Sequence, residues 1–250
     1  MFSKKRINKF LKRFNVEVHG ISYLQSLKKG EFKNNESDFF KRVFPSASIT
    51  IFDVGANRGL KTTEFINLFP SASIYAFEPY LPLFEELEKR FQHNKKIHLY
   101  NIGISNEKGN GVFNVNTGLD TSSFLNSNKT GLNSDAQVQT IQELVLPLTT
   151  LDHVVSEEHI DRINILKMDI QGSELNALKG AEKLLIENKI DIIFTETYFI
   201  QQYIAQPLFY EIASFLLSYG YVLQDMYNPV YGKGKIAWCD VIFVRKDLIC

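Results

Sequence analysis

The chain lacks the features that would commit it to several common protein classes. Its 250 residues include two cysteines, Cys239 and Cys250. That is too few for a disulfide framework and gives no metal-type cluster; it fits a reducing compartment, and the expected location is cytoplasmic. Net charge is also lacking. Basic and acidic residues balance at 28 each, so the chain as a whole is not built to hold nucleic acid. No apolar run approaches the roughly 18 residues that a membrane-spanning helix requires. The basic N-terminus, MFSKKRINKFLKRFNV, has no apolar stretch of the kind a signal peptide carries.

What is present is apolar residues at 44% of the chain, enough for one large core. Residues 1–47 read as a helical extension and 48–250 as the main domain. In the extension, Ile7, Phe10, Leu11 and Phe14 recur at helical spacing among Lys4, Lys5, Arg6, Lys9, Lys12 and Arg13. Two readings stay open. The helix packs on the domain with a solvated basic face, or it lies on anionic lipid as a weak membrane-surface contact, where each basic residue adds roughly 1 kcal/mol.

From residue 50 onward, strand and helix patterns alternate. Strands are expected at 50–55, 73–79, 97–105, 163–171 and 190–199, with helices at 60–69, 83–94, 174–188 and 207–220 between them. Such alternation implies right-handed crossovers and a parallel sheet. Two last strands, 221–228 and 237–246, have no helix between them and are therefore antiparallel to each other. Residues 106–137 are rich in Gly, Asn, Ser and Thr and read as a long loop or lid with a short strand at VFNV. Residues 138–155 read as an extended segment and a short helix.

The chemistry concentrates at the ends of the strands. FDVGANRG, residues 52–59, is neither a G-x-G-x-x-G fingerprint nor a P-loop, since Leu60 stands where a P-loop needs lysine. A carboxylate at the strand end, Asp53, suits a ligand bearing an ammonium group better than a pyrophosphate. Gly55 and Gly59 permit a tight turn and a close approach. The second strand ends in Glu78, and an acid there commonly accepts hydrogen bonds from ribose hydroxyls. Ribose joined to a cationic amino-acid end describes S-adenosylmethionine.

At this point the chain resembles the class I S-adenosylmethionine-dependent methyltransferases, and more narrowly the FkbM family. The likeness is carried by FDVGANRG, by AFEP at 76–79, TLD at 150–152, LKMDIQGSELNALKGAEKLL at 166–185 and FTETY at 194–198. It implies an α/β fold with a Rossmann-like, seven-stranded, mostly parallel sheet, an antiparallel last strand and helices on both faces. It also implies methyl transfer to oxygen, on a small-molecule or glycan acceptor. The family block usually reads D-x-E-G-x-E, and here Gln171 replaces the first Glu.

On this reading Asp53, Gly55, Asn57 and Gly59 hold the methionine end, Glu78 the ribose, and Asn101, Gly103 and Ile104 lie near the adenine. Ser122 and Ser123 are further cofactor candidates. Asp169 is the candidate base, also counted with the cofactor site, and Glu174 and Glu196 complete the catalytic set. These three carboxylates are oxygen ligands of the kind that bind Mg²⁺ or Ca²⁺, but no His or Cys joins them and no metal is assigned. Tyr198, Phe199, Tyr203 and Tyr227 follow strand ends and serve either to stack on an acceptor or to pack. Three alternatives were weighed. A catalytically inactive cofactor-binding domain serving in an assembly has the Gln171 departure as its support. A nucleic-acid methyltransferase is opposed by neutral charge and the absence of an N-P-P-Y tetrapeptide. An NAD enzyme is opposed by the missing phosphate loop.

Overall fold

The structure, a computed structural model, describes residues 35–45, 48–128, 138–232 and 234–248. The basic segment 1–34 and residues 129–137 of the central loop lie outside them. Of the N-terminal unit, Met1–Pro45, the described part is helix α1, Glu36–Val43, whose first turn is capped by Asn35 accepting from the Asp38 amide at 2.8 Å. No helix among the described residues is long and apolar enough to cross a membrane.

The second unit is built on a seven-stranded sheet. Its strands are β1 (Thr50–Val54), β2 (Ser73–Phe77) and β3 (Ile97–Tyr100), then β7 (Ile163–Met168), β8 (Ile190–Tyr198), β9 (Tyr221–Gly232) and β10 (Lys235–Arg245), in the spatial order β3-β2-β1-β7-β8-β10-β9. The first five run parallel and β10 is antiparallel to both its neighbours. The central strands are buried on both faces, which is why ITIFDV and INILKM read as near-continuous apolar runs.

Strand order reverses between β1 and β7, so right-handed crossovers place helices on opposite faces. On one face, α3 (Leu81–Phe91) buries Leu87 and Phe91 against Ala56 and Ala76, and α2 (Leu60–Leu68) follows the β1 turn. On the other, α4 (Leu151–Glu157), α5 (Glu174–Lys179), α6 (Glu182–Ile186) and α7 (Phe209–Ser218) cover Phe52, Val54, Leu166 and Ile193. The carboxyl ends of β1 and β7 flank the switch point, where a ligand cleft is expected.

Three expectations from the sequence needed revision. The strand expected at 97–105 is two: β3 stays in the main sheet, while β4 (Gly103–Ile104) pairs with β6 (Thr140–Thr149). The short strand at VFNV is the eight-residue β5 (Gly109–Asn116), antiparallel to β6, which lies in the segment expected to be extended, so a second, three-stranded sheet takes in the start of the expected loop. Its asparagines disguise it, because Asn disfavours strands. Here they point inward: Asn114 Nδ2 donates to the carbonyls of Ser123 and Leu125, and Asn116 Nδ2 to that of Thr121 at 2.6 Å.

The helix expected at 174–188 breaks into α5 and α6 at Gly180. A Cβ there would lie 2.0 Å from the Ser105 carbonyl oxygen. The Gly180 carbonyl accepts from the Asp152 amide at 2.9 Å, and the Asp152 carboxylate accepts from the Lys183 and Leu184 amides at 3.0 Å each. The TLD motif is thereby a pair of caps: Thr150 Oγ1 accepts from the His153 amide to start α4, and Asp152 starts α6. Gly180→Ala is expected to lower stability by about 1–3 kcal/mol, the cost of overpacking a filled site. A fall in the denaturant midpoint at unchanged slope checks it.

Candidate functional site

A cleft enclosing about 680 Å³, part of it open to solvent, lies at the carboxyl ends of β1, β2 and β7. The β1–α2 turn contributes Gly55 and Asn57, and the end of β2 contributes Glu78, Pro79 and Tyr80. Ile102, Phe113 and Phe124 add an apolar shelf to the lining. Asp169, Gln171, Asp120 and Ser122 complete the cleft's polar lining.

Glu78 is the most constrained acid of the cleft, at 5% exposure. Its Oε2 accepts from the Asn57 amide at 2.9 Å and its Oε1 from the Tyr80 amide at 3.0 Å. Each oxygen keeps a second lone pair for a ligand. Burial pushes its pKa up to about 7, against the pull of those two amides. Asn101 stands behind it: its Nδ2 donates to the carbonyls of Glu78 and Pro79, both at 2.9 Å. Asn101 therefore fixes the β2 loop and is not itself part of the cleft lining, whereas Gly103 and Ile104 are.

Asp53 does not face the cleft. It is wholly buried, at 0% exposure. Its Oδ2 accepts from Thr62 Oγ1 at 2.5 Å, and its Oδ1 lies 2.8 Å from Lys167 Nζ. Asp53 and Lys167 are register partners on β1 and β7. The ammonium expected to come from a ligand is thus supplied by the chain itself. Lys167 also donates to the Gly55 carbonyl at 2.8 Å. Burial lowers its pKa, but Asp53 and Asp169 outweigh that and hold the ammonium above its ordinary range.

The two glycines of the turn also serve the fold directly. A Cβ on Gly55, at φ +76°, would lie 2.0 Å from the Asp169 carbonyl oxygen. One on Gly59 would meet Phe91 and Leu87 of α3 at 2.6–2.8 Å. Gly55 lines the cleft and Gly59 does not.

Beyond β7, the expected catalytic acids part company. Asp169 is exposed and lines the cleft. Glu174 is 1% exposed, and its Oε1 accepts from the Ile170 and Gly172 amides at 3.1 and 3.2 Å. It clasps the 170–173 turn from within, off the cleft, and burial raises its pKa to about 7. Glu196 accepts from Gln171 Nε2 at 3.0 Å and from the Tyr198 hydroxyl. Burial, then the neighbouring Asp169, raises its pKa well above the carboxylate range.

The serines also divide. Ser122 reaches the cleft, its Oγ accepting from the Asn116 amide at 3.1 Å. Ser123 is buried and donates to the Gln171 carbonyl at 2.7 Å. Sequence reasoning passed over Lys167, Asp120 and the apolar shelf. Lys167 was findable, because it stands between two strand-interior apolar residues of a fully buried strand, where an unpaired lysine is untenable.

The model of the methyltransferase FkbM domain matches residues 53–223, and the chain belongs to that family. The 2-O-methyltransferase NoeI of Sinorhizobium fredii is 25% identical over 152 residues, which are 58% of this chain and 62% of that protein. Methyltransferase 1 of Beauveria bassiana is 24% identical over 151 residues, 56% of this chain and 60% of that one. The chain thus spans less than two thirds of the length of these curated relatives. Among solved structures, an rRNA methylase from Streptococcus thermophilus aligns at 14% identity and a TM-score of 0.46, covering 84% of this chain and 93% of the other.

Removing Asp53 would leave the Lys167 ammonium buried without its counter-charge. Asp53→Ala is expected to cost about 3–5 kcal/mol of stability, measured by urea unfolding without ligand. A residue engaged only with a cofactor would leave that midpoint in place.

Proposed function

We propose that this member of the FkbM methyltransferase family transfers the methyl group of S-adenosylmethionine to a hydroxyl oxygen of a sugar, a glycan or a small natural product. The observation that carries the reading is the pairing, in one cleft, of a buried carboxylate with free lone pairs, Glu78, and an exposed one, Asp169. Family membership supports the reaction class, and the name of one relative, a 2-O-methyltransferase, supports oxygen as the acceptor atom.

The residues fit a nucleoside bearing an amino acid. Glu78 offers acceptor positions to two vicinal hydroxyls, and the shelf of Ile102, Phe113 and Phe124 offers apolar contact to a base. When bound, the cofactor supplies an electrophilic methyl group on a sulfonium. The chain's own part is alignment and proton removal. Asp169 takes the proton of the attacking hydroxyl as the carbon–oxygen bond forms and the carbon–sulfur bond breaks. Asp53 and Lys167 act from below by fixing the β1–α2 turn.

The reading of an inactive cofactor-binding domain rested on Gln171. That residue donates to two carboxylates and lies within hydrogen-bond distance of two tyrosine hydroxyls, which favours a working site.

Two experiments test the proposal. Ribose hydroxyls donate more strongly to an ionised carboxylate, which has both oxygens as acceptors, than to a protonated acid, so binding should tighten as pH rises through about 7, where Glu78 ionises. The affinity for S-adenosylhomocysteine by calorimetry is expected to increase about tenfold from pH 6 to pH 8, and Glu78→Gln to abolish that increase. Asp169→Asn is expected to bind S-adenosylhomocysteine normally. In transfer of labelled methyl from S-adenosylmethionine to a panel of free sugars and glycans, it should lose about 10²–10⁴ in turnover. Equal turnover in the variant would remove Asp169 from the base role, and no transfer by the parent chain to any hydroxyl would remove the reading.

A further inference from the structure

Gln171 departs from the family motif, and nothing in the mechanism above uses it. Yet no other side chain at the cleft is held by so many polar groups. Its Nε2 donates to Asp169 Oδ1 at 2.8 Å and to Glu196 Oε2 at 3.0 Å. An amide nitrogen has two N–H bonds, and both are spent on carboxylates. Its Oε1 accepts from the Tyr203 hydroxyl at 2.9 Å and faces the Tyr198 hydroxyl at 3.2 Å. Each hydroxyl has one proton and a second acceptor in reach, the Thr121 carbonyl for Tyr203 and Glu196 for Tyr198, so the amide is oriented from the carboxylate side, where its nitrogen meets acceptor oxygens. The backbone is fixed as well. Gln171 sits at φ +52°, a left-handed conformation that costs a non-glycine residue energy. Ser123 Oγ anchors its carbonyl at 2.7 Å.

We propose that Gln171 is the positioning residue of the acceptor side, its amide tying Asp169 to Glu196 so that the Asp169 carboxylate is presented to the cleft at a fixed place. This rests on the reading that Asp169 receives the acceptor's proton. The physical argument is a comparison of near-isosteres. With glutamate at 171, three carboxylates would meet within hydrogen-bond reach, and they could not all stay ionised without a shared proton or a bound cation. The amide turns two repulsive contacts into two donated hydrogen bonds. It does the bridging that a proton would otherwise do, and leaves Asp169 free to accept one.

The charged and titratable groups that act on the amide and its carboxylate partners are Lys167 on β7, Asp169 just past its end, Glu174 on α5, Glu196 and Tyr198 on β8, Tyr203 in the next loop, and Asp240 on β10. Only the 171 side chain changes in the test. The full chain, saturated with S-adenosylhomocysteine, is followed by carbon-13 carboxyl resonances against pH, with the Asp169 signal identified through D169N. In Q171E the Asp169 signal is expected to titrate in two coupled steps, the upper one about one pH unit or more above the parent midpoint. In Q171M, which removes the donor without adding charge, the midpoint should rise by a smaller amount.

A residue that only fills space would leave the Asp169 titration where it was. A single step at the parent midpoint in Q171E overturns the proposal. Should Q171E fail to fold, the same result in Q171M overturns it. No methyl acceptor enters the titration, so its outcome is separate from that of the Asp169→Asn turnover experiment.

Discussion

The ion pair between Asp53 and Lys167 is the constraint on which the site depends. Both groups are almost fully withdrawn from water, at 0% and 6% exposure, and an ion pair so placed returns its desolvation cost only with good geometry and further hydrogen bonds. Those are present. Thr62 donates to the other Asp53 oxygen, and the Lys167 ammonium donates again to the Gly55 carbonyl. The pair joins β1 to β7 at the point where strand order reverses, so the two sides of the switch point are held at one spacing. Gly55 then meets the Asp169 carbonyl with no room for a side chain. The floor of the cleft is therefore set before any ligand arrives.

Around that floor, environment assigns different tasks to chemically similar acids. Glu78 and Glu174 are both buried, both accept two backbone amides, and both are raised to about 7. Glu78 faces the cleft with lone pairs to spare. Glu174 faces inward and spends its acceptor capacity on the 170–173 turn. Glu196 is tied to Gln171 and Tyr198, and Asp169 alone of the three expected catalytic acids lines the cleft. Neither residue type nor spacing separates these roles. The direction of each side chain relative to its own backbone turn does.

This explains which parts were legible in the sequence. The parallel sheet was readable because its strands are buried on both faces, so that burial writes itself as unbroken apolar runs such as ITIFDV and IDIIF. Glu78 and Asp169 stand just past the ends of β2 and β7, where a polar residue marks the strand leaving the core, whereas Asp53 and Glu196 lie inside β1 and β8. Their partners were not readable. Asp53 and Lys167 are over a hundred residues apart, and only the register of β1 against β7 brings them together. Gly59 and Gly180 were visible as motif glycines, but the atoms that exclude a Cβ belong to α3 and to the loop after β4. A glycine in a motif announces a close approach without saying to what.

The least legible segment is the one that covers the site. β5 reads GNGVFNVN, poor in strand formers, and its pairing with β6 spans a long intervening loop. Local preference was overruled because Asn114 and Asn116 use side-chain amides, which a strand leaves free, to hold the carbonyls of residues 121–125. Valines in their place would make a better strand, take from the Leu125 carbonyl its Asn114 donor, and leave those of Ser123 and Thr121 to the Asn114 backbone amide and the Tyr203 hydroxyl. The same loop touches the segment after β8 through the Ser127–Tyr203 bridge and the Tyr203 hydroxyl on the Thr121 carbonyl. Both segments meet at Gln171, through Ser123 on one side and Tyr203 on the other. Polar residues placed against local propensity are therefore what build the surroundings of Gln171, while the turns around Gly55 and Glu78 follow ordinary strand-and-helix patterning. A sequence reading strong on the second and weak on the first follows from that division.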